Sequence, residues 1–363
     1  MLVFICLLQL INSLSNELDI YYFDVGQADS QLLVFPNGFS ILIDLGEESS
    51  GATNAKYVGT RLEQILGTKH INILVVSHLH RDHIGSSKGG IRYLVDTMNF
   101  TFDKLIDRDY GYNYNNQECN SDTIEYHNIG TLSSTGVDWI CLVANEYSNH
   151  HLKQIREVGK IYSTDQINVG LLNVQVQIVQ IDAYSATLKD STTPVSGNHR
   201  YDTYPPSEND YSICLKVVFG KFVYLTCGDL DGEYETSDNG YIYNDIESVT
   251  KNKVGEIDLY HVNHHGSSHS NNKEWLSTLK PLASIISCGE GNSYNHPTEQ
   301  ALNNLQKYSY IFATEDCNPE VTNKFSDYSI INGDILVRVP QDVLNYYVSD
   351  IKRTKINKFK IKN

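Results

Sequence analysis

Residues 71 to 85 read Ile71-Asn72-Ile73-Leu74-Val75-Val76-Ser77-His78-Leu79-His80-Arg81-Asp82-His83-Ile84-Gly85, an apolar run that ends in three histidines and a carboxylate within six positions. Ile71 to Val76 is β-rich and reads as a buried strand, so the four donors fall on the loop where that strand ends. A strand end holds donors rigidly. In this HxHxDH spacing His78 and His80 alternate and can point to one ion, while Asp82 and His83, adjacent on a tight turn, can reach a second. Imidazole with carboxylate suits zinc, manganese or iron more than calcium or magnesium. The competing reading, a polar loop with chance histidines, leaves the clustering of all four donors at one strand end without a cause.

Working outward, an apolar strand with a polar end recurs. Leu18 to Asp24, Gln31 to Phe35 and Phe39 to Asp44 read as a β-meander, the first two joined by Val25-Gly26-Gln27-Ala28-Asp29-Ser30. Asn54 to Leu66 carries apolar residues at helical spacing, and Gly90 to Met98 reads as another helix. Between Phe100 and Pro206 the pattern weakens into a stretch rich in Tyr, Asn, Ser and Asp, with strand-like runs at Trp139 to Val143 and Val174 to Ile181. Residues 100–206 therefore read as a loop-rich insertion rather than a second domain. Regularity returns at Tyr211 to Phe219 and Phe222 to Thr226, two strands around Gly220-Lys221 that lead to Gly228-Asp229. The strand Ile257 to Val262 ends at Asn263-His264-His265-Gly266-Ser267-Ser268. A helix from Asn272 to Leu279, a strand from Ala283 to Ser287, a Gly-rich loop through His296-Pro297 and a helix from Thr298 to Tyr308 follow. This recurrence argues for two sheets whose strand ends converge on one site, flanked by helices.

Composition bounds the rest. The chain has 363 residues, 40% hydrophobic, enough for a sizeable core, and a net charge of −16 that opposes unaided binding of long nucleic acids. Residues 1–15, MLVFICLLQLINSLS, form an apolar run too short to span a bilayer and end in small residues. They read as a signal peptide although no Lys or Arg precedes the run; the alternative is a buried first strand or helix. No later stretch is long and apolar enough to cross a membrane, so stable membrane insertion is not expected. Removing residues 1–15 takes away Cys6 and leaves Cys119, Cys141, Cys214, Cys227, Cys288 and Cys317, an even count that suits an oxidising compartment. Cys119 with Cys141 is one available pair, whereas Cys214 and Cys227 read equally well as buried free thiols. Asn99-Phe100-Thr101 is a glycosylation sequon. Residues 346–363, with Lys352, Arg353, Lys355, Lys358, Lys360 and Lys362, read as a basic, solvated tail.

Asp44, the HxHxDH loop, Asp229 and the His264-His265 pair follow one another as they do in the metallo-β-lactamase superfamily, which the chain resembles. The phrases Phe23-Asp24-Val25-Gly26-Gln27-Ala28-Asp29-Ser30, Leu225-Thr226-Cys227-Gly228-Asp229, Val262-Asn263-His264-His265-Gly266-Ser267 and Gly289 to Pro297 resemble its ComEC-like branch. That branch includes the hydrolase domain of bacterial DNA-uptake channels and secreted phosphorylcholine esterases. The resemblance implies an α/β fold, an αββα sandwich with the metal site at the converging strand ends, over residues 16–345. It implies that His78 and His80 bind a first metal, Asp82 and His83 a second, and that Asp229 bridges them. One of His264 and His265 completes the second site, and the sequence leaves open which. Asp44 would stand behind a ligand histidine and fix its tautomer. His296 would donate a proton to the leaving group. The cofactor is then zinc or manganese, two ions or one.

Two departures stand out. Ala28 replaces the usual second Gly of the DVGQGDS phrase. The superfamily's third-motif histidine has no match between His83 and Asp229, where Asn209-Asp210-Tyr211-Ser212 resembles the N-x-x-S phrase of the ComEC-like group; Asp210 and His199 are available to substitute, against the more common reading of each as a plain loop residue. The resemblance implies a metal-dependent hydrolase, secreted by the signal-peptide reading, with Asp82 or Asp229 orienting a metal-activated hydroxide and a phosphodiester as substrate, either nucleic acid or a small phosphocholine-type diester. The 25 tyrosines, three of them at Tyr110, Tyr112 and Tyr114, are able to stack bases or cage a choline cation. The alternatives are hydrolysis of a lactone, thioester or other carbonyl compound on the same scaffold, or a catalytically silent, metal-containing secreted binding protein.

Overall fold

A computed structural model describes residues 16–362 except 48, 50, 116–117, 146–151 and 190–191. The signal-peptide reading of residues 1–15 lies outside the described residues. Among the described residues, the first sheet has nine strands: β1 (Glu17–Tyr22), β2 (Gln31–Val34), β3 (Ser40–Ile43), β4 (His70–Val75), β5 (Thr101–Asp107), β8 (Arg156–Val158), β18 (Ile335–Pro340), β19 (Asn345–Asp350) and β20 (Ile356–Lys360). The second has seven: β9 (Val174–Gln180), β10 (Cys214–Phe219), β11 (Phe222–Thr226), β14 (Leu259–His261), β15 (Ala283–Ile286), β16 (Tyr310–Ala313) and β17 (Tyr328–Ile330). Two small ribbons, β6 (Gly111–Asn113) with β7 (Ile124–Tyr126) and β12 (Gly232–Thr236) with β13 (Ile242–Asp245), stand outside them. The helices are α1 (Thr53–Leu66), α2 (Arg81–Ile84), α3 (Gly90–Asp96), α4 (Ser134–Asn145), α5 (Leu152–Ile155), α6 (Ile246–Val254), α7 (Lys273–Leu279), α8 (Glu299–Leu305) and α9 (Pro319–Thr322).

Side-chain alternation builds the layers. Leu18, Ile20 and Tyr22 of β1 and Ile41 and Ile43 of β3 face Val176, Leu215, Val217 and Ile285 of the other sheet in a central core. Leu32, Leu42 and Leu74 point the other way and pack on Val58, Leu62, Leu94 and Trp139 of the helices outside the first sheet. Leu225, Tyr260 and Ile311 do the same against Trp275, Leu276, Leu302 and Leu305. Three apolar interfaces make four layers, α, β, β, α, the sandwich expected from the sequence.

Each sheet mixes two kinds of pairing. β1, β2 and β3 form the expected antiparallel meander, and β3, β4, β5 and β8 then run parallel. In the second sheet β9, β10 and β11 are antiparallel and β11, β14, β15, β16 and β17 parallel. The parallel strands release their carboxyl ends along the same edge of the sandwich, where ligands bind in open α/β sheets.

Three expectations are corrected. Trp139 to Val143 lies in α4, not a strand: Trp139, Ile140, Leu142 and Val143 are all buried against the first sheet, and an apolar run that short does not by itself distinguish the two. Residues 100–206 are not wholly an insertion, because β5 pairs with β4 inside the first sheet and β9 edges the second. The expected tail of residues 346–363 is, over its described residues 346–362, not frayed. Lys358 and Lys360 lie on β20 and Lys352 and Lys355 in the turn before it; the Tyr346 ring of β19 and the Phe359 ring of β20 stack at 5.2 Å, and Tyr346 donates to the Asp258 carbonyl. An edge strand rich in lysine discourages pairing with another chain, which reconciles the charge with the strand.

All six cysteines after Cys6 are paired, Cys119 with Cys141, Cys214 with Cys227 and Cys288 with Cys317. Cys214 and Cys227 are therefore not free thiols.

Candidate metal centre

The loop after β4 carries Ser77, His78, His80, Asp82 and His83 to the edge of the sandwich. Asp44, just past β3 and with a left-handed backbone (φ 58°), turns its carboxylate beneath them. Ser77 donates its amide to Asp44 Oδ1 (2.8 Å) and its hydroxyl to Oδ2 (2.6 Å), and His83 Nδ1 lies 2.8 Å from the same Oδ2. His78 Nδ1 is 3.1 Å from Ser77 Oγ. These contacts are satisfied when both imidazoles carry the proton on Nδ1, which leaves Nε2 of each with a free lone pair.

Asp229 arrives from the second sheet, just past β11. Gly228 before it has φ 55°, and a Cβ there would lie 2.6 Å from Ser77 Oγ, so only glycine lets the two loops meet this closely. Asp229 Oδ1 is 3.1 Å from His83 Nε2, and its Oδ2 is 4.0 Å from His78 Nε2. His78 Nε2 and His80 Nδ1 are 3.1 Å apart. His78, His80 and Asp229 thus form one cluster of donors, and Asp29, His83, Asp229 and His265 a second, each with its donor atoms within 4.8 Å of one another. Asp82 adjoins the second cluster, its Oδ2 3.3 Å from His265 Nε2 and 4.0 Å from His83 Nε2.

The structure separates the histidine pair that the sequence left open. His264 and His265 both have left-handed backbone, φ 52° and 50°, which throws their rings in different directions. His265 points inward, its Nδ1 2.8 Å from the Ser287 carbonyl and its Nε2 3.8 Å from Asp229 Oδ1, so it joins the second cluster. His264 faces the cleft between Asp229 Oδ2 at 3.7 Å and Asp231 Oδ1 at 3.6 Å.

Electrostatics agree with the geometry. Burial pushes the Asp229 carboxyl up, but the imidazoles of His83, His264 and His265 more than offset this and hold it well below the usual carboxylate range. Burial, then the neighbouring His83 and His80 rings, push His78 well below an ordinary histidine. His83 Nε2, Asp29 Oδ1 and Asp229 Oδ1 are buried without hydrogen-bond partners. Buried lone pairs converging on one another are the donor chemistry a divalent cation satisfies, so the residues present fit one or two such ions.

Neither residue available to substitute for the missing third-motif histidine reaches the clusters, and both serve the loops instead. Asp210 is taken by the Asn244 amide and side chain (3.0 and 2.7 Å), and His199 sits between Asp202 and the Pro194 carbonyl. Asn209 stands nearer, its Nδ2 3.3 Å from His264 Nδ1. Ala28, the other departure, is fully buried and needs no positive φ.

His296 lies over the pair, its ring 5.4 Å from His264 and 5.6 Å from Tyr294. Burial, then His264 and His265, push it down to about 2, so it is a neutral imidazole there. A cleft of about 680 Å³ opens above Asp82, Asp229, His264, His265 and His296, walled by Tyr241, Tyr243 and Tyr294, with Arg81 its one described non-imidazole cation. Asp29, Ser77 and His261 went unassigned in the sequence. Asp29 stood inside a quoted phrase, but its contact with His261 Nε2 (3.3 Å) joins the two sheets and is invisible without the fold.

Four layers with donor clusters at the carboxyl ends of both sheets agree with the arrangement that the sequence's resemblance to the metallo-β-lactamase superfamily implies. Sequence likeness runs to its ComEC-like branch: the chain is 23% identical over 326 residues to ComE operon protein 3 of Bacillus subtilis (strain 168), which covers 86% of this chain and 34% of that protein. Recombination protein 2 of Haemophilus influenzae is 28% identical over 102 residues, 28% of this chain and 11% of that protein. The chain thus spans about a third of the first relative and a ninth of the second. Among solved structures, one named for a metal-dependent hydrolase of Parabacteroides distasonis covers 81% of this chain and 93% of its own at 10% identity and a TM-score of 0.37. Another, named for a Zn-dependent hydrolase of the metallo-β-lactamase superfamily from Thermotoga maritima, covers 76% and 78% at 14% identity and 0.28. No family model matches the chain.

Proposed function

We propose that this chain is a metal-dependent hydrolase of phosphodiesters that acts in an oxidising compartment outside the cytoplasm. Asp229 carries the proposal: one buried carboxylate turns Oδ1 to the His83 cluster and Oδ2 to the His78 cluster, the disposition a bridging ligand needs. His78, His80 and Asp229 would hold one zinc or manganese ion, and Asp82, His83, Asp229 and His265 the other, with Asp29 beside them. When bound, such a pair supplies Lewis acidity that brings the pKa of water toward neutrality and offsets charge building on a phosphoryl oxygen.

The protein's own groups set the geometry. Asp44 orients His83 directly and His78 through Ser77, and the Ser287 carbonyl orients His265. Asp82, part-exposed at the floor of the cleft, and Asp229 accept hydrogen bonds from the attacking water. His296, held neutral, donates a hydrogen bond to the leaving-group oxygen in place of the full proton transfer expected of an imidazolium. The tyrosine walls and the single Arg81, with a net charge of −16, favour a small diester of the phosphocholine type over a long nucleic acid. Three disulfides support the oxidising compartment, and no helix among the described residues is long and apolar enough to cross a membrane.

The test is hydrolysis of bis-p-nitrophenyl phosphate and p-nitrophenyl phosphorylcholine with Mn²⁺ or Zn²⁺, with and without chelator. Turnover that chelator abolishes and that Asp229→Ala lacks supports the proposal, and the preferred ester reports the substrate class. Turnover that Asp229→Ala retains removes it.

A further inference from the structure

Behind the clusters lies a buried ion pair that the proposed chemistry does not use. Arg108, just past β5 of the first sheet, and Glu208, in the turn leading to β10 of the second, are both buried. Arg108 Nε donates to Glu208 Oε1 at 2.8 Å and its Nη2 to Oε2, while Nη1 reaches the Asn128 carbonyl at 2.6 Å. The guanidinium also lies 5.0 Å from the centre of the Tyr211 ring. The Glu208 carboxylate has a third partner, the amide of Leu79, whose N–H donates to Oε1 at 3.0 Å.

Leu79 is the residue between His78 and His80. The same segment grips the arm again two residues earlier, where Ile213 donates its amide to the Ser77 carbonyl at 2.9 Å. On its other side Asn209 touches His264. The segment that stands where the third-motif histidine is missing therefore holds the two arms that border the first cluster.

We propose that Glu208, fixed by Arg108, is a positioning residue that sets the His78-Leu79-His80 arm for cation binding at the first cluster. The inference rests on the reading of the site as a cation centre. A buried ion pair is by itself weak evidence for added stability, because desolvation offsets much of the attraction. What singles this pair out is its charge-assisted bond to a backbone amide flanked by two candidate ligands. The nearby Asp107–Arg156 pair, 2.7 Å and also buried on the carboxylate side, makes no hydrogen bond to the donor loop among the described residues; it touches Arg108 only at the main-chain carbonyl (3.2 Å), not at the guanidinium, and serves as the control.

The experiment is a Co²⁺ titration followed by its d–d spectrum and by calorimetry, with His78→Ala marking the signal of the first cluster. Glu208→Asp keeps the charge for Arg108 but withdraws the oxygen from Leu79 by one methylene. It should weaken the His78-dependent binding about 10- to 100-fold and leave the remaining ion's binding unchanged. Glu208→Gln, which keeps an acceptor at full reach, should bind closer to wild type although it loses more thermal stability. Arg156→Met should lower stability with both binding events intact. If Glu208→Asp binds as wild type, or if Arg156→Met weakens the same ion equally, the positioning role is wrong. If wild type itself binds no Co²⁺, the proposed function fails, and this inference falls with it.

Discussion

At the scale of single residues, the centre depends on groups that touch no substrate. Asp44 is the acceptor that ties His83 and, through Ser77, His78 to one tautomer. Asp44→Ala should therefore reduce cation affinity about 10- to 100-fold at both clusters, and Ser77→Ala chiefly at the first, measured by competition with a chromophoric chelator. A second residue gives a pH dependence away from the centre. Burial pushes the Asp182 carboxyl up to about 7, against Arg108 and the Asp109 amide, which pull it down. The folded protein then holds a proton that the unfolded chain releases near pH 4. Stability from this group is complete below about pH 4 and is lost as pH rises through about 7. Asp182→Asn should flatten the change in urea midpoint between those values, and an unchanged slope would mean that another group carries it.

At the scale of elements, the carboxyl-terminal strands and the disulfides are the features whose weight is least evident from composition. Phe359 of β20 is part-buried, stacking on Tyr346 and meeting Phe312 edge-on at 6.1 Å. Phe359→Ala should cost about 2 kcal/mol in chemical denaturation, at the lower end for a buried aromatic because the ring is not fully covered. Deleting residues 352–363 should cost more and promote association, since β19 would become an uncovered edge. The Cys288–Cys317 bridge ties the end of β15 to the segment after β16, beside the loop that carries His296. Replacing both cysteines by serine should cost about 2–4 kcal/mol, read from the calorimetric transition.

At the scale of the whole molecule, the centre is a seam: Asp44, His78 and His83 come from the first sheet, and Asp229 and His265 from the second. Cation binding should therefore brace the two halves, raising Tm on addition of Zn²⁺ or Mn²⁺ and lowering it on chelation, with about 2.7 kcal/mol gained at a hundredfold excess over Kd. A Tm indifferent to both would contradict the seam. Local pattern was enough for β1 to β4, α1 and the HxHxDH loop, because there strand period, helix period and donor spacing act within a few residues of one another. It was enough also to put Asp44, Asp229 and the His264-His265 pair at strand ends. It misread Trp139 to Val143, since a short apolar run packs equally well as helix or strand, and it took β19 and β20 for a tail because the basic residues from Lys352 to Lys362 outweigh the alternation of Tyr346, Val348 and Phe359. Which histidine of the pair turns inward depends on two consecutive left-handed residues, and the roles of Asp29, His261 and Glu208 on contacts across the two sheets. The sequence by itself determined the layers and the donor types, which are local properties of residue order. Only the tertiary structure decided which donors share a cluster, because that depends on atoms brought within a few ångströms by segments 30 to 200 residues apart.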